Sequence, residues 1–140
     1  MTERAELVDA LNIAFAQKYH SMAQFVLDAE PYVKPGREGL LAAIRDVADM
    51  DQRAAGQIAD AIEQLEGIAQ PGTGDPSLAA YHYLDLDFLA STLADALEQQ
   101  KSYYGAMRQR FGSGQDAEAI FSLLGSVTEE QISRLQKARS

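Results

Sequence analysis

The chain has 140 residues, 46% of them hydrophobic, with 21 acidic and 12 basic side chains and a formal charge of −9. That length supports a single domain over residues 1–140 with one continuous core, and the acidic balance disfavours nucleic acid or an anionic membrane as partner. Cysteine is absent, which excludes disulfides, thiolate metal sites and cysteine nucleophiles and suits a reducing cytoplasm.

The N-terminus, "MTERAELVDA", lacks the basic, then apolar, then small-residue order of a secretory signal. No apolar run approaches the ~20 residues that a spanning helix needs. Leu7, Leu11, Ala14, Lys18, Met22, Phe25 and Ala29 recur at three- and four-residue steps, which predicts one helix from a Thr2 cap to Pro31. Lys18 stands in the middle of that stripe.

The second helix is predicted over about Gly39 to Glu66, with the stripe Leu40, Ile44, Val47, Asp51, Ala54, Ile58, Ile62 and Leu65, and with Gly67 as its stop. At ~1.5 Å per residue it is roughly 40 Å long, a length typical of a bundle. Residues 67–87 are irregular. Asp75-Pro76 is one possible helix start. The reading preferred here makes the segment a long connection, with a short helical turn at residues 76–82 and the third helix starting near Asp85.

The third helix carries Leu86, Leu89, Leu93, Leu97, Gln100, Tyr104 and Met107 on one face and stops at "FGSG", residues 111–114. The fourth starts near Asp116 and shows Ile120, Phe121, Leu124, Val127, Gln131 and Leu135. Ser126 and Glu129 match a capping box, which offers a break at Gly125 as the alternative to a continuous helix. The sum is an all-α fold, a four-helix bundle.

The stretch "LNIAFAQKYHSMAQF", residues 11–25, resembles the first helix of ferritin-like proteins, the bacterioferritin branch especially, whose pattern is roughly L-N-x-x-L-A-x-E-x-x-A-x-x-Q-Y/F. Leu11, Asn12, Ala16, Gln24 and Phe25 match it. The second helix ending in "LEG" and the connection after it look similar too. The resemblance implies a ferritin-like four-helix bundle with a long connection between helices 2 and 3. It also implies a homo-oligomer, a dimer through the first two helices being favoured.

Such bundles hold two iron ions with a glutamate from each of two helices and a Glu-x-x-His from each of the other two. Mapped onto this chain, the first-helix glutamate falls on Lys18. The second-helix pair falls on Asp51 and Ala54. The third-helix glutamate falls on Leu97, or on Glu98 with a one-residue slip, and the fourth-helix pair on Thr128 and Gln131. Carboxylates and imidazoles are mostly gone, and a cation has taken one place. Two hard cations need several anionic oxygens, so the resemblance implies a degenerate metal site, no cofactor and no catalysis. It predicts a Lys18–Asp51 pair, joined by Gln131 or Gln100, in the former cavity.

Blander placements stand beside this one. Lys18 can snorkel from the stripe's edge to water, Asp51 can be solvated, and Glu98 lies opposite the third helix's apolar stripe, where solvent is expected. The alternative function is an iron or manganese protein with altered ligands, drawn from Asp51, Glu98, Glu129 or Glu130 and a histidine. His20 and His82 are scattered and read as surface or hydrogen-bonded residues. Tyr81, Tyr83, Tyr103 and Tyr104 read as packing residues or as cover for a dimer interface. A helical adaptor unrelated to ferritins, with regular up-down-up-down connections, is the third class.

Overall fold

The computed structural model describes residues 2–74 and 84–140. It is all-helical, and no strand occurs among the described residues. In chain order the helices are α1 (Glu3–Tyr19), α2 (Met22–Asp28), α3 (Glu38–Gln64), α4 (Leu86–Phe111) and α5 (Gln115–Arg139). The four long ones, α1, α3, α4 and α5, pack side by side: α1 on α3, α3 on α5, α5 on α4 and α4 on α1.

The first helix does not run to Pro31. His20 leaves helical geometry (φ −89°, ψ 60°) and ends α1. Ser21 then caps a new helix: its Oγ accepts from the Gln24 amide and donates to Asp51 Oδ2 at 2.7 Å. The apolar stripe continues across this break, so periodicity alone cannot reveal it. Thr2 caps α1 through the Ala5 amide, as expected.

At the end of α3 the left-handed residue is Glu66 (φ 59°), with Gly67 one place beyond it and its amide bonded to the Ile62 carbonyl at 3.0 Å. Glycine is needed at 67 for space: a Cβ there would lie 2.8 Å from Val8 Cγ1. The α4 start at Leu86 after Asp85 matches the reading preferred from the sequence. The helical turn expected at residues 76–82 lies outside the described residues. No break occurs at Gly125; α5 is continuous from Gln115 to Arg139. Leu124 and Thr128 are fully buried on either side of Gly125, and this packing overrides the local Ser126 capping signal.

Contacts along the helices set their directions. Arg4 reaches Leu65 O (2.8 Å) while Lys18 reaches Asp51 (3.2 Å), so α1 and α3 are antiparallel. Glu6 pairs with Arg110 and Ala10 O accepts from Tyr103, so α1 and α4 are antiparallel too. Arg108–Glu118 and Lys101–Glu129 make α4 and α5 antiparallel. It follows that α3 and α4 point the same way. Arg37 and Asp87, 2.6 Å apart, tie their N-terminal ends together.

The core falls into two apolar clusters. One holds Leu11, Phe15, Ile58, Ile62, Tyr104, Phe111, Phe121 and Leu124 with neighbouring alanines. The other holds Val26, Leu40, Ile44, Val47, Leu86, Leu89, Leu93, Leu97 and Leu135. The buried polar or charged residues among the described ones are Lys18, Asp51, Thr128 and Gln131; along the chain Lys18 separates the α1 part of the first cluster from the α2 part of the second, and on α3 and α5 the others stand between the two clusters.

A Cβ at Gly125 would meet nothing within 4 Å. Gly125→Ala should therefore stabilise the protein by about 0.5–1 kcal/mol through helix propensity. Urea unfolding checks this; a loss of stability would mean that the glycine serves a break or a close contact.

Candidate functional site

The polar layer is built from one residue or more on each long helix. Lys18 comes from the last turn of α1, Asp51 from the middle of α3, Gln100 from the middle of α4, and Thr128 and Gln131 from α5. Lys18 is 1% exposed. A bare ammonium in such a place would be prohibitive, since moving a charge out of water costs several kcal/mol even after relaxation.

The ammonium is not bare. Lys18 Nζ lies 2.8 Å from Gln100 Oε1, 3.0 Å from Gln131 Oε1, 3.2 Å from Asp51 Oδ1 and 3.4 Å from Thr128 Oγ1. The face of the Tyr104 ring is 5.7 Å away on centroid, within cation–π range. Snorkelling to water is thereby excluded for Lys18, and Asp51, 2% exposed, is no solvated residue.

The oxygens are themselves held. Gln131 Nε2 donates to Asp51 Oδ1 at 2.6 Å and to the Val47 carbonyl at 3.1 Å, which turns its Oε1 toward Lys18. Ser21 fixes the other carboxylate oxygen of Asp51. Thr128 donates its hydroxyl proton to Leu124 O at 2.8 Å, leaving lone pairs for the ammonium. The charges cancel and nearly every donor and acceptor is used, the condition under which a buried polar network is tolerated.

Burial pulls the Lys18 ammonium below its ordinary value, while the charge of Asp51 and the hydrogen bond to it act the other way. Burial, with the nearby negative charge of Asp51, pushes the Tyr104 phenol up. The Tyr104 hydroxyl has no hydrogen-bond partner among the described residues. Burial also raises the Tyr103 phenol, whose hydroxyl donates to Ala10 O at 3.0 Å.

Of the six positions mapped from the resemblance, Lys18, Asp51, Thr128 and Gln131 converge. Ala54 and Leu97 do not: each is buried in an apolar cluster, Ala54 on one side of the layer and Leu97 on the other. The α4 contribution is Gln100, one turn beyond Leu97. Glu98 is exposed. Ser21 escaped notice in the sequence because nothing local marks it as a partner of Asp51.

The alternative ligands are dispersed. Glu129 pairs with Lys101 at 3.3 Å and Glu130 with Arg134 at 2.9 Å, both at the surface. His20 lies 3.0 Å from the Gly72 carbonyl and edge-on to Tyr19. His82, Tyr81 and Tyr83 lie outside the described residues. No group of three His, Asp or Glu side chains that could hold a metal ion occurs among the described residues. No described helix is long and apolar enough to cross a membrane.

Lys18→Met and Asp51→Asn should each cost about 3–5 kcal/mol, because each strands the other's charge or hydrogen bonds. A double-mutant cycle by chemical denaturation should give a coupling of about 1–3 kcal/mol, and additivity would show that the two charges do not act as a pair. No family model, curated protein or solved structure matches the chain.

Proposed function

We propose that the chain is a ferritin-like four-helix bundle whose two-metal centre has been replaced by a permanent internal cation. It then acts as a non-catalytic binding or structural module, most simply as a homodimer. The single observation that carries this reading is the Lys18 ammonium among oxygens from all the other long helices, at the level where the resemblance places iron ligands.

The residues present do not fit two iron ions. Asp51 is the one carboxylate in the layer, and it is already engaged by Lys18, Gln131 and Ser21. Gln100, Gln131 and Thr128 offer neutral oxygens. A divalent pair needs several anionic ligands, and Lys18 repels it.

Chain path supports the ferritin-like connection. α3 ends beside the start of α1, whereas α4 begins beside the start of α3. From Leu65 to Gly72 the chain follows α1: Arg4 holds Leu65 O, Asn12 holds Ile68 O and the Gln70 amide, and His20 meets Gly72 O. A route along a neighbouring helix is what a long crossover requires, and an up-down-up-down adaptor has no need of it.

The dimer reading rests on composition. Between Asp9 and Asp28 the one charged side chain is Lys18, which is buried, while Ile13 and Tyr19 are 51% and 58% exposed. Beside Tyr19 a groove of about 560 Å³ is lined by Phe15, Ala55, Gly56 and Ala59 together with the polar Ser21, Gln24 and Gln52. Charge depletion with exposed aromatic and aliphatic side chains marks interface cores. A cysteine-free, acidic chain suits the cytoplasm.

Protein purified from iron- and manganese-supplemented cells should hold far less than one metal ion per chain by elemental analysis; near-stoichiometric iron or manganese would overturn the reading. Sedimentation should give a dimer that Tyr19→Asp dissociates with helicity retained. A monomeric parent protein would remove the dimer.

A further inference from the structure

The polar layer does more than tolerate a lysine. We propose that its oxygens form a preorganised site for a monovalent cation of ammonium size, with the Lys18 head group as its built-in occupant. The inference rests on the reading above only in treating the layer as the place where a cation sits; whether the fold is ferritin-like does not enter.

Three of the four oxygens owe their orientation to bonds that do not involve Lys18. Gln131 is held by Asp51 and the Val47 carbonyl. Asp51 is held by Ser21 and Gln131. Thr128 is held by Leu124 O. Gln100 alone has no second bond among these. Taking away the ammonium therefore leaves a cage that is already shaped rather than a set of free side chains.

The separations from Nζ, 2.8 to 3.4 Å, span the ordinary N–H···O range and its long edge. Charge sets the class of ligand. One carboxylate and three neutral oxygens balance a single positive charge. A divalent ion would remain undercompensated in a layer closed by apolar clusters on both sides. The Tyr104 ring, 5.7 Å from Nζ, favours a weakly hydrated cation over a strongly hydrated one.

Lys18→Val tests this directly. The valine ends at the γ-carbons, a van der Waals contact short of the Nζ position, so the head-group position is vacated and Asp51 is left uncompensated. Thermal unfolding is compared at equal ionic strength in ammonium chloride, potassium chloride, manganese chloride and tetramethylammonium chloride. The expected result is a higher midpoint in ammonium than in tetramethylammonium, by about 4 °C for each tenfold rise above the dissociation constant. Potassium should give a rise of the same kind. Wild-type protein and Lys18→Val/Asp51→Asn should show no ammonium-specific rise.

A second variant, Lys18→Ala, removes the stem as well and should respond to n-propylammonium, which replaces both stem and head. Should either variant be unfolded at rest, the same comparison is read as helicity recovered on adding the cation. Equal midpoints in ammonium and tetramethylammonium for both variants would overturn the proposal, as would an equal ammonium response in wild type. A larger rise with manganese than with ammonium would overturn the charge matching. Failure here leaves the metal content of wild-type protein, and hence the reading of the preceding section, to be decided separately.

Discussion

A buried ammonium imposes one demand on everything near it: oxygen must replace the water it lost. In this protein that demand reaches all four long helices at once. Lys18 draws Gln100 from α4, Thr128 and Gln131 from α5, and Asp51 from α3. The contacts fix the height of each helix relative to the others, because a slip of one turn would put a leucine or an alanine opposite the charge. Apolar packing alone is more forgiving of such slips, since Leu, Ile and Met exchange places at modest cost. The layer therefore specifies register, a role that buried polar groups fill in some coiled coils.

The same demand explains the break in the first helical segment. Asp51 has more lone pairs than Lys18 and Gln131 use, and Ser21 takes the remaining oxygen. To do so the chain leaves helical geometry at His20, and the serine caps α2 with the same hydroxyl. One hydroxyl thus links the charge at the core to the entry of a new helix. The Asn12 side chain does a comparable job outside, holding the chain beyond α3 against α1 through Ile68 and Gln70.

Much of this was legible in the residues. The spans of α3, α4 and α5 follow their stripes, and Lys18 and Asp51 stand on those stripes where a charge is out of place. What escaped was set by distant partners. The break at His20 is invisible to periodicity because Met22, Phe25 and Ala29 continue the pattern, and its cause is the bond between Ser21 and Asp51, 30 positions apart. Ser126 and Glu129 carry a local capping signal, yet burial of Leu124 and Thr128 keeps α5 whole. The metal-ligand mapping pointed to Leu97, whereas the α4 residue that meets Lys18 is one turn later, at Gln100, which the sequence offers with Gln131 as a partner of the pair. Sequence mapping can assign a face; the turn that reaches the partner depends on how far each helix has slid.

The layer also constrains what the protein can have become. An iron centre and a lysine make opposite requirements of the same oxygens: the metal ions call for anions, the ammonium for mostly neutral acceptors with one compensating charge. Asp51 with two amides and a hydroxyl meets the second requirement and not the first. Building a metal centre here would take new carboxylates on several helices together, since a single one added beside Asp51 while Lys18 stays would leave an uncompensated anion in the core. Single substitutions in the layer are therefore each costly, and a change in its chemistry needs several at once.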